Sequence, residues 1–260
     1  MTVESARSPI VAVENFAAAY GGEIILHDVS FTVQEGEILV ILGDSGSGKS
    51  TLLKHMIGLY RPASGRILIE GRDLWQARGR ERLEILRKIG VTYQGSALFG
   101  AMTLLQNTRL PLEESSALPE EAIDLVARLK LRIVGLEGYE DYFPSEVSGG
   151  MQKRAALARA LALDPRLIFL DEPSAGLDPL TSASLDQLLM DLAGTLGLTF
   201  VVVSHELASI FAIATRVIVL DRERKTMVAQ GDPCELRDHG KDEWVRRFLG
   251  RDGRKSRIDA

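Results

Sequence analysis

The run Gly43-Asp44-Ser45-Gly46-Ser47-Gly48-Lys49-Ser50-Thr51, directly behind the apolar stretch Glu37-Ile38-Leu39-Val40-Ile41-Leu42, constrains this chain more than any other feature. It fits the pattern G-x-x-x-x-G-K-[ST], with strand-like residues before it and helix-like residues after it, over 49–57. Glycines let the backbone curl so that several N–H groups converge on a phosphate chain. Lys49 can reach the β and γ oxygens, and the Ser50 hydroxyl can take one position on Mg²⁺. The helix start adds its positive dipole end at the same spot. A glycine-rich turn meets the pattern by chance in about one chain per hundred, and the flanking context makes that rarer. The stretch predicts nucleoside triphosphate binding on an α/β fold.

Upstream, Ile10-Val11-Ala12-Val13 and Val29-Ser30-Phe31-Thr32-Val33 read as strands. Between them Tyr20 sits on the turn Ala19-Tyr20-Gly21-Gly22, placed either to stack on a purine or to stand on the surface as turn tyrosines do. Downstream, residues 61–65 and 71–73 read as turns around a strand at 66–70. Residues 80–88 read as a charged helix with Leu83, Leu86 and Ile89 along its apolar side. A short strand at 91–93 delivers Gln94. A glutamine there is usually a surface amide, but its oxygen also suits Mg²⁺ or an attacking water. From about 97 to 163 the β-branched runs give way to helical spacing, which predicts a helical lobe inserted into the α/β core. Pro119, Glu120 and Glu121 mark one helix start, with Ile123, Val126 and Leu129 expected on its buried face.

Ser148-Gly149-Gly150 opens a further helix, expected to run through Leu163 until Asp164-Pro165 stops it. Free N–H groups at such a start make a second anion site, or simply belong to a serine N-cap with flexible glycines. Leu167-Ile168-Phe169-Leu170 is apolar throughout, as a central parallel strand requires. Asp171 and Glu172 fall at its carboxyl end, where α/β sheets place ligands. Asp171 suits Mg²⁺ held through water, and Glu172 suits proton abstraction from an attacking water. A second buried strand at 199–203 ends in His205. Ser174 to Asp178 lead into a helix with Leu185, Leu188, Leu189 and Leu192 on its apolar face. A hairpin over 217–229 and a last helix near 243–249 complete the pattern.

A chain of 260 residues can form one domain or two closely joined lobes. Its net charge of −5 argues against nucleic acid as a main partner. Cys234 is the only cysteine, so an internal disulfide is impossible, which suits a reducing cytosol. The start, Met1 to Pro9, lacks the apolar core of a signal peptide. No apolar run approaches the roughly 18–20 residues that span a bilayer, so a membrane role is expected only through a partner.

In order and spacing, Tyr20, the phosphate loop, Gln94, Val147-Ser148-Gly149-Gly150, Leu170-Asp171-Glu172, Ser174 to Asp178 and His205 resemble the ATP-binding cassette (ABC) ATPases. The resemblance covers residues 10–236. It implies an α/β P-loop NTPase core with an N-terminal antiparallel β subdomain and an inserted α-helical subdomain at about 97–163. The ATP-binding domain would span 1–240, followed by a C-terminal helix and polar tail over 241–260. It also implies ATP and Mg²⁺, and a head-to-tail dimer closed over two ATP molecules. Each chain would offer its phosphate loop to one nucleotide and Ser148-Gly149-Gly150 to the other. By position, Tyr20 stacks on adenine, and Lys49, Ser50 and Thr51 hold phosphates and metal. Gln94 and Asp171 complete the Mg²⁺ and water site, Glu172 is the general base, and His205 contacts the γ-phosphate. Asp178 lies at the dimer seam. Val147 and Met151 stand where many relatives have leucine and glutamine, and neither removes an N–H donor.

Gln94-Gly95-Ser96-Ala97-Leu98-Phe99, with Met102-Thr103, Asn107 and Leu110-Pro111-Leu112, is similar to the ATPases paired with MCE-type transporters. These include the Mla phospholipid system of Gram-negative envelopes. Pro144-Ser145-Glu146 and Ser148-Gly149-Gly150-Met151 share in the likeness. It implies a place on the cytoplasmic face of the inner membrane, peripheral through an integral permease. An MCE-type lipid-binding protein lies outside, and some systems add a STAS-domain subunit. The chain departs from several relatives in the order Gly95-Ser96 and in Arg109, which falls in the segment expected to face the permease. Leu98, Phe99, Met102, Leu104 and Leu105 are expected to divide between the core and a groove for a partner helix. Basic residues outnumber acidic ones from Trp244 onward, and this end is expected to be solvated rather than lipid-bound. The alternatives are an ABC ATPase for another cargo, or a soluble ABC protein. Soluble members usually carry two cassettes or long coiled-coil insertions, and neither is present. A small-molecule kinase leaves Ser148-Gly149-Gly150 and Glu172 unexplained.

Overall fold

The computed structural model describes residues 9–250. The polar start up to Ser8 and the tail from Arg251 lie outside them. The chain opens with β1 (Val11–Tyr20), β2 (Glu23–Val33) and β3 (Ile38–Leu42), then α1 (Lys49–Met56). Next come β4 (Ser64–Ile69), β5 (Arg72–Asp73), α2 (Gly79–Leu86) and β6 (Ile89–Thr92). Three helices follow: α3 (Leu104–Ser115), α4 (Glu120–Ile133) and α5 (Gly149–Ala160). The second half alternates β7 (Leu167–Asp171), α6 (Pro179–Leu196), β8 (Thr199–Val203), α7 (Leu207–Ile213) and β9 (Arg216–Asp221). It ends with β10 (Thr226–Gly231), α8 (Pro233–His239) and α9 (Glu243–Leu249).

One sheet is antiparallel, in the order β2-β1-β4-β5. The other runs β10-β9-β3-β8-β7-β6, parallel except for the edge pair β9–β10. The central strands β3 and β8 are buried along their whole length, which explains their unbroken apolar runs. Because side chains alternate across a strand, Ile38, Val40 and Leu42 face one core and Leu39 and Ile41 the other. The first core takes in the apolar faces of α3, α4 and α5 as well as α6 and α9. The second lies between the parallel sheet, α1 and the antiparallel sheet, with Phe16, Leu26, Leu52 and Met56 wholly enclosed. Among the described residues no helix is long and apolar enough to cross a membrane.

Several local expectations need correction. On α2 the buried residue is Ile85, while Leu83 is 56% exposed and Ile89 already starts β6. The buried face of α4 is Ile123, Ala127, Lys130 and Leu131, and Leu129 points outward. Periodicity fixes the presence of a stripe, but its position depends on what packs against it. Lys130 tolerates burial because Asp164 accepts a hydrogen bond of 2.5 Å from its ammonium. Residues 72–73, expected as turn, pair with β4, which itself begins at Ser64. Helix α5 ends at Ala160, three residues early, and Asp164 turns the chain with φ 50°. Arg109, in the segment expected to face a permease, pairs with Glu113 (2.9 Å), Asp124 (3.1 Å) and Glu120 (3.3 Å) and so joins α3 to α4.

Candidate functional site

Four loops meet at the carboxyl ends of the parallel strands: the glycine-rich loop after β3, Gln94 after β6, Glu172 after β7 and His205 after β8. They line a cleft of about 810 Å³ with Gly43, Asp44, Ser45, Gly46, Gly48, Lys49, Ser50 and Thr51. Gly48 caps α1 with φ 95°, and a Cβ there would stand 2.9 Å from the Leu26 side chain. At Gly43, φ is 148°, and a Cβ would run into the Leu220 carbonyl and the Ser47 hydroxyl. Glycine is therefore required at both positions for the loop to pack this closely on Leu26, Leu220 and Ser47, the tight curl that a phosphate-binding loop uses. Ser47 faces inward and is buried, so it shapes the loop from beneath.

Lys49 Nζ donates to the carbonyls of Gly43 (2.7 Å) and Asp44 (2.9 Å). Burial lowers its pKa from the ordinary lysine value, and Glu172, Asp44 and Asp171 oppose that. The Ser50 hydroxyl lies 3.5 Å from Asp171 Oδ1. Burial pushes the Asp171 carboxyl up, and the neighbouring Glu172 adds to it, against Lys54, Ser50 and Lys49. A cation there would satisfy both acids. Ser50, Asp171 and the Gln94 side chain are hard oxygen donors of the kind Mg²⁺ takes beside phosphate. Among the described residues no group of three or more His, Cys, Asp or Glu is placed to hold a metal, and Mg²⁺ needs no such group.

Glu172 is fixed at its backbone and at one carboxylate oxygen. Its φ is 51°, its N–H donates to the Val203 carbonyl (2.8 Å), and its side chain is buried. Oε1 lies 2.7 Å from His205 Nδ1, whereas Oε2 is buried without a hydrogen-bond partner. A carboxylate with one oxygen fixed and one free can accept a proton from a water that enters the cleft. Tyr20 ends β1, is 80% exposed and is not among the residues that line the cleft. Ser148 and Gly149 are exposed at the start of α5, where the Ser148 hydroxyl accepts from the Met151 N–H (3.3 Å). Gly150 is buried against Thr181, with no room for a Cβ. Asp178 caps α6, and hydrogen bonds from Thr181 hold its carboxyl below the usual range. None of these five residues lines the cleft of its own chain.

Residues that the sequence did not single out complete the walls. Ile25, Leu207 and Phe248 give the cleft an apolar side, and Arg222 lies beside Gly46. Lys153 Nζ donates to the carbonyls of Gln94 and Glu172. Its only signal in the sequence is a basic residue one helical turn past Gly149-Gly150.

Residues 26–175 match the ABC transporter family, and the chain belongs to it. It is an ATP-binding, ATP-hydrolysing domain of the ABC type. The probable ribonucleotide transport ATP-binding protein mkl of Mycobacterium tuberculosis is 41% identical over 239 residues. That match covers 92% of this chain and 66% of the relative, so the chain spans just under two thirds of its length. The intermembrane phospholipid transport system ATP-binding protein MlaF of Escherichia coli is 39% identical over 248 residues, covering 95% of this chain and 91% of MlaF. Among solved structures, the dimeric post-hydrolysis state of the ATP-binding cassette MJ0796, bound to ADP and Pi, superposes with a TM-score of 0.76 at 33% identity. It covers 85% of this chain and 98% of that one.

Proposed function

We propose that this chain is the ATPase subunit of a transport complex that moves phospholipid or another lipid between membranes of the cell envelope. The observation that carries the reading is the similarity to MlaF, spread along nearly the whole of both chains. Two copies close head to tail, so that the phosphate loop of one and Ser148-Gly149-Gly150 of the other flank each ATP. This accounts for two anion-binding helix starts in one chain, only one of which opens on its own cleft. Residues 1–240 act as the ATP-binding domain, with the helices of 97–163 as its helical subdomain.

Tyr20, exposed at the end of β1, is free to stack on adenine. Lys49 exchanges the carbonyls of Gly43 and Asp44 for phosphate oxygens. Ser50, Gln94 and Asp171 are the ligands suited to Mg²⁺, which when bound neutralises charge on the phosphates. Glu172 takes the proton of the attacking water on its free oxygen, while His205 holds the other oxygen and meets the γ-phosphate. Asp178 stands at the seam between the two copies. Closure depends on ATP in both sites, and it moves an integral permease to which the chain is docked on the cytoplasmic face of the inner membrane. An MCE-type lipid-binding protein and, in some systems, a STAS-domain subunit complete the assembly. A second reading keeps every ATPase part and changes the cargo, because the mycobacterial relatives are named for ribonucleotide transport.

Purification of the tagged chain from detergent-solubilised membranes tests both. An integral membrane protein together with an MCE-type protein and bound phospholipid supports the lipid reading. A permease alone, without phospholipid, favours the other cargo, and an ATPase that brings down no membrane protein sinks transport altogether.

A further inference from the structure

Helix α5 reaches out of the helical layer into the catalytic segments at two points. Lys153 donates to the main-chain carbonyl of Gln94 and, at 3.3 Å, to that of Glu172. Further along the same helix, Arg159 donates to the carbonyls of Ala97 (2.8 Å) and Ser96 (3.2 Å). The backbone these cations hold is bent against its preference: φ is 62° at Ser96, 49° at Ala97 and 51° at Glu172. Residues other than glycine keep such angles only where their surroundings fix them. Ser148-Gly149-Gly150 begin this helix one turn before Lys153, and over so short a length a helix moves as one piece. Arg154 anchors the same turn to the Val134 carbonyl (2.8 Å) and the Ser184 hydroxyl (2.9 Å).

We propose that Lys153 is a positioning residue that ties the two halves of the composite ATP site together. It passes the seating of the partner's nucleotide at the start of α5 to Gln94 and Glu172, which serve the nucleotide of its own chain. The inference rests on the head-to-tail dimer proposed above. An ammonium has three donors in tetrahedral array, so one side chain can bridge carbonyls on β6's and β7's carboxyl ends at once. A shift of α5 then moves the backbone of the metal-site glutamine and of the base together. Without the bridge, each loop would settle independently, and filling one site would no longer prepare the other.

Steady-state hydrolysis by the full chain, followed against ATP concentration, tests the tie in wild type, Lys153→Met and Lys153→Arg. Lys153→Met should bind a fluorescent ATP analogue as wild type does, since Lys49 and its loop are untouched. Its kcat should fall by about tenfold or more, and its Hill coefficient should drop from about 2 towards about 1. Lys153→Arg, whose fork can also span two carbonyls, should recover most of both. A Lys153→Met chain within about twofold of wild type in kcat and cooperativity overturns the proposal. So does a loss that merely tracks a lower unfolding midpoint and that Lys153→Arg shares. Wild type without cooperativity removes the dimer reading itself, and that result appears before any substitution is made.

Discussion

His205 Nδ1 lies 2.7 Å from Glu172 Oε1, and Oε2 of the same carboxylate is buried with no hydrogen-bond partner. The pair comes from the ends of adjacent parallel strands, so the sheet itself sets the distance. An unpartnered buried oxygen carries a desolvation penalty, which a water donating to it would relieve. That penalty is the physical reason to expect the nucleophile there.

Replacing Glu172 with glutamine keeps the shape and removes the basicity. ATP binding should stay close to wild type, because the glycine-rich loop and Lys49 are unchanged. Turnover should fall by about 10²- to 10⁴-fold, the usual weight of a general base. With hydrolysis blocked, an ATP-bound dimer should accumulate and elute as such in size-exclusion chromatography with ATP. Near-normal hydrolysis would take Glu172 out of its role.

Ser148→Arg tests the other half of the site. The hydroxyl caps α5 by accepting from the Met151 N–H, so its loss should cost about 1 kcal/mol of stability, read by denaturant unfolding. The larger effect should be on closure, since a bulky cation would occupy the exposed helix start. The monomer should still bind ATP, while hydrolysis in the assembled complex should fall at least about tenfold. Normal hydrolysis there would refute a site shared between two copies.

Much of this was legible in the residues. The apolar runs of β3, β7 and β8 announce central strands because both faces of the sheet are covered. Gln94, Asp171, Glu172 and His205 gain meaning from falling at strand ends after a phosphate loop. What escaped was whatever depends on distant packing. Leu83 and Leu129 lie on helical stripes, yet face solvent because the neighbouring layers sit elsewhere. Phe248 reaches the same cleft as Gly43 to Thr51 from the last helix described, and nothing in its local sequence says so. The carboxylates around Arg109 come from two helices, and nothing in its local sequence pairs it with Glu120 or Asp124.

Asn107 sits at the root of the segment likened to the MCE-associated ATPases. It is wholly buried and accepts from the Phe99 N–H (2.8 Å). Its amide also donates to the carbonyls of Phe99 (3.1 Å), Met102 (3.1 Å) and Thr103 (3.0 Å). Asn107→Leu leaves the Phe99 N–H and the Met102 carbonyl unpaired, while the Phe99 and Thr103 carbonyls keep the backbone N–H groups of Met102 and Asn107. It should cost about 2–4 kcal/mol in denaturant unfolding. The half-exposed Phe99 would lose its fixed position, so stimulation of hydrolysis by the permease should weaken more than hydrolysis by the chain alone. Equal losses in both would show that Asn107 serves stability only.

Asp186 lies buried on α6, and its Oδ1 accepts from the Ser209 hydroxyl of α7 at 2.6 Å. Burial raises its pKa above the ordinary aspartate value, and Glu206 adds to this, while the Ser209 bond opposes it. In the window between the unfolded value near about 4 and the raised folded value, the native state holds more protons than the unfolded one. Stability from this group is therefore lost as pH rises through that window. Asp186→Asn keeps an oxygen for Ser209 and cannot ionise. Its unfolding midpoint relative to wild type should climb as pH is taken from about 4 to about 8. A difference that stays flat across that range would mean that Asp186 is charged and fully compensated in the folded protein.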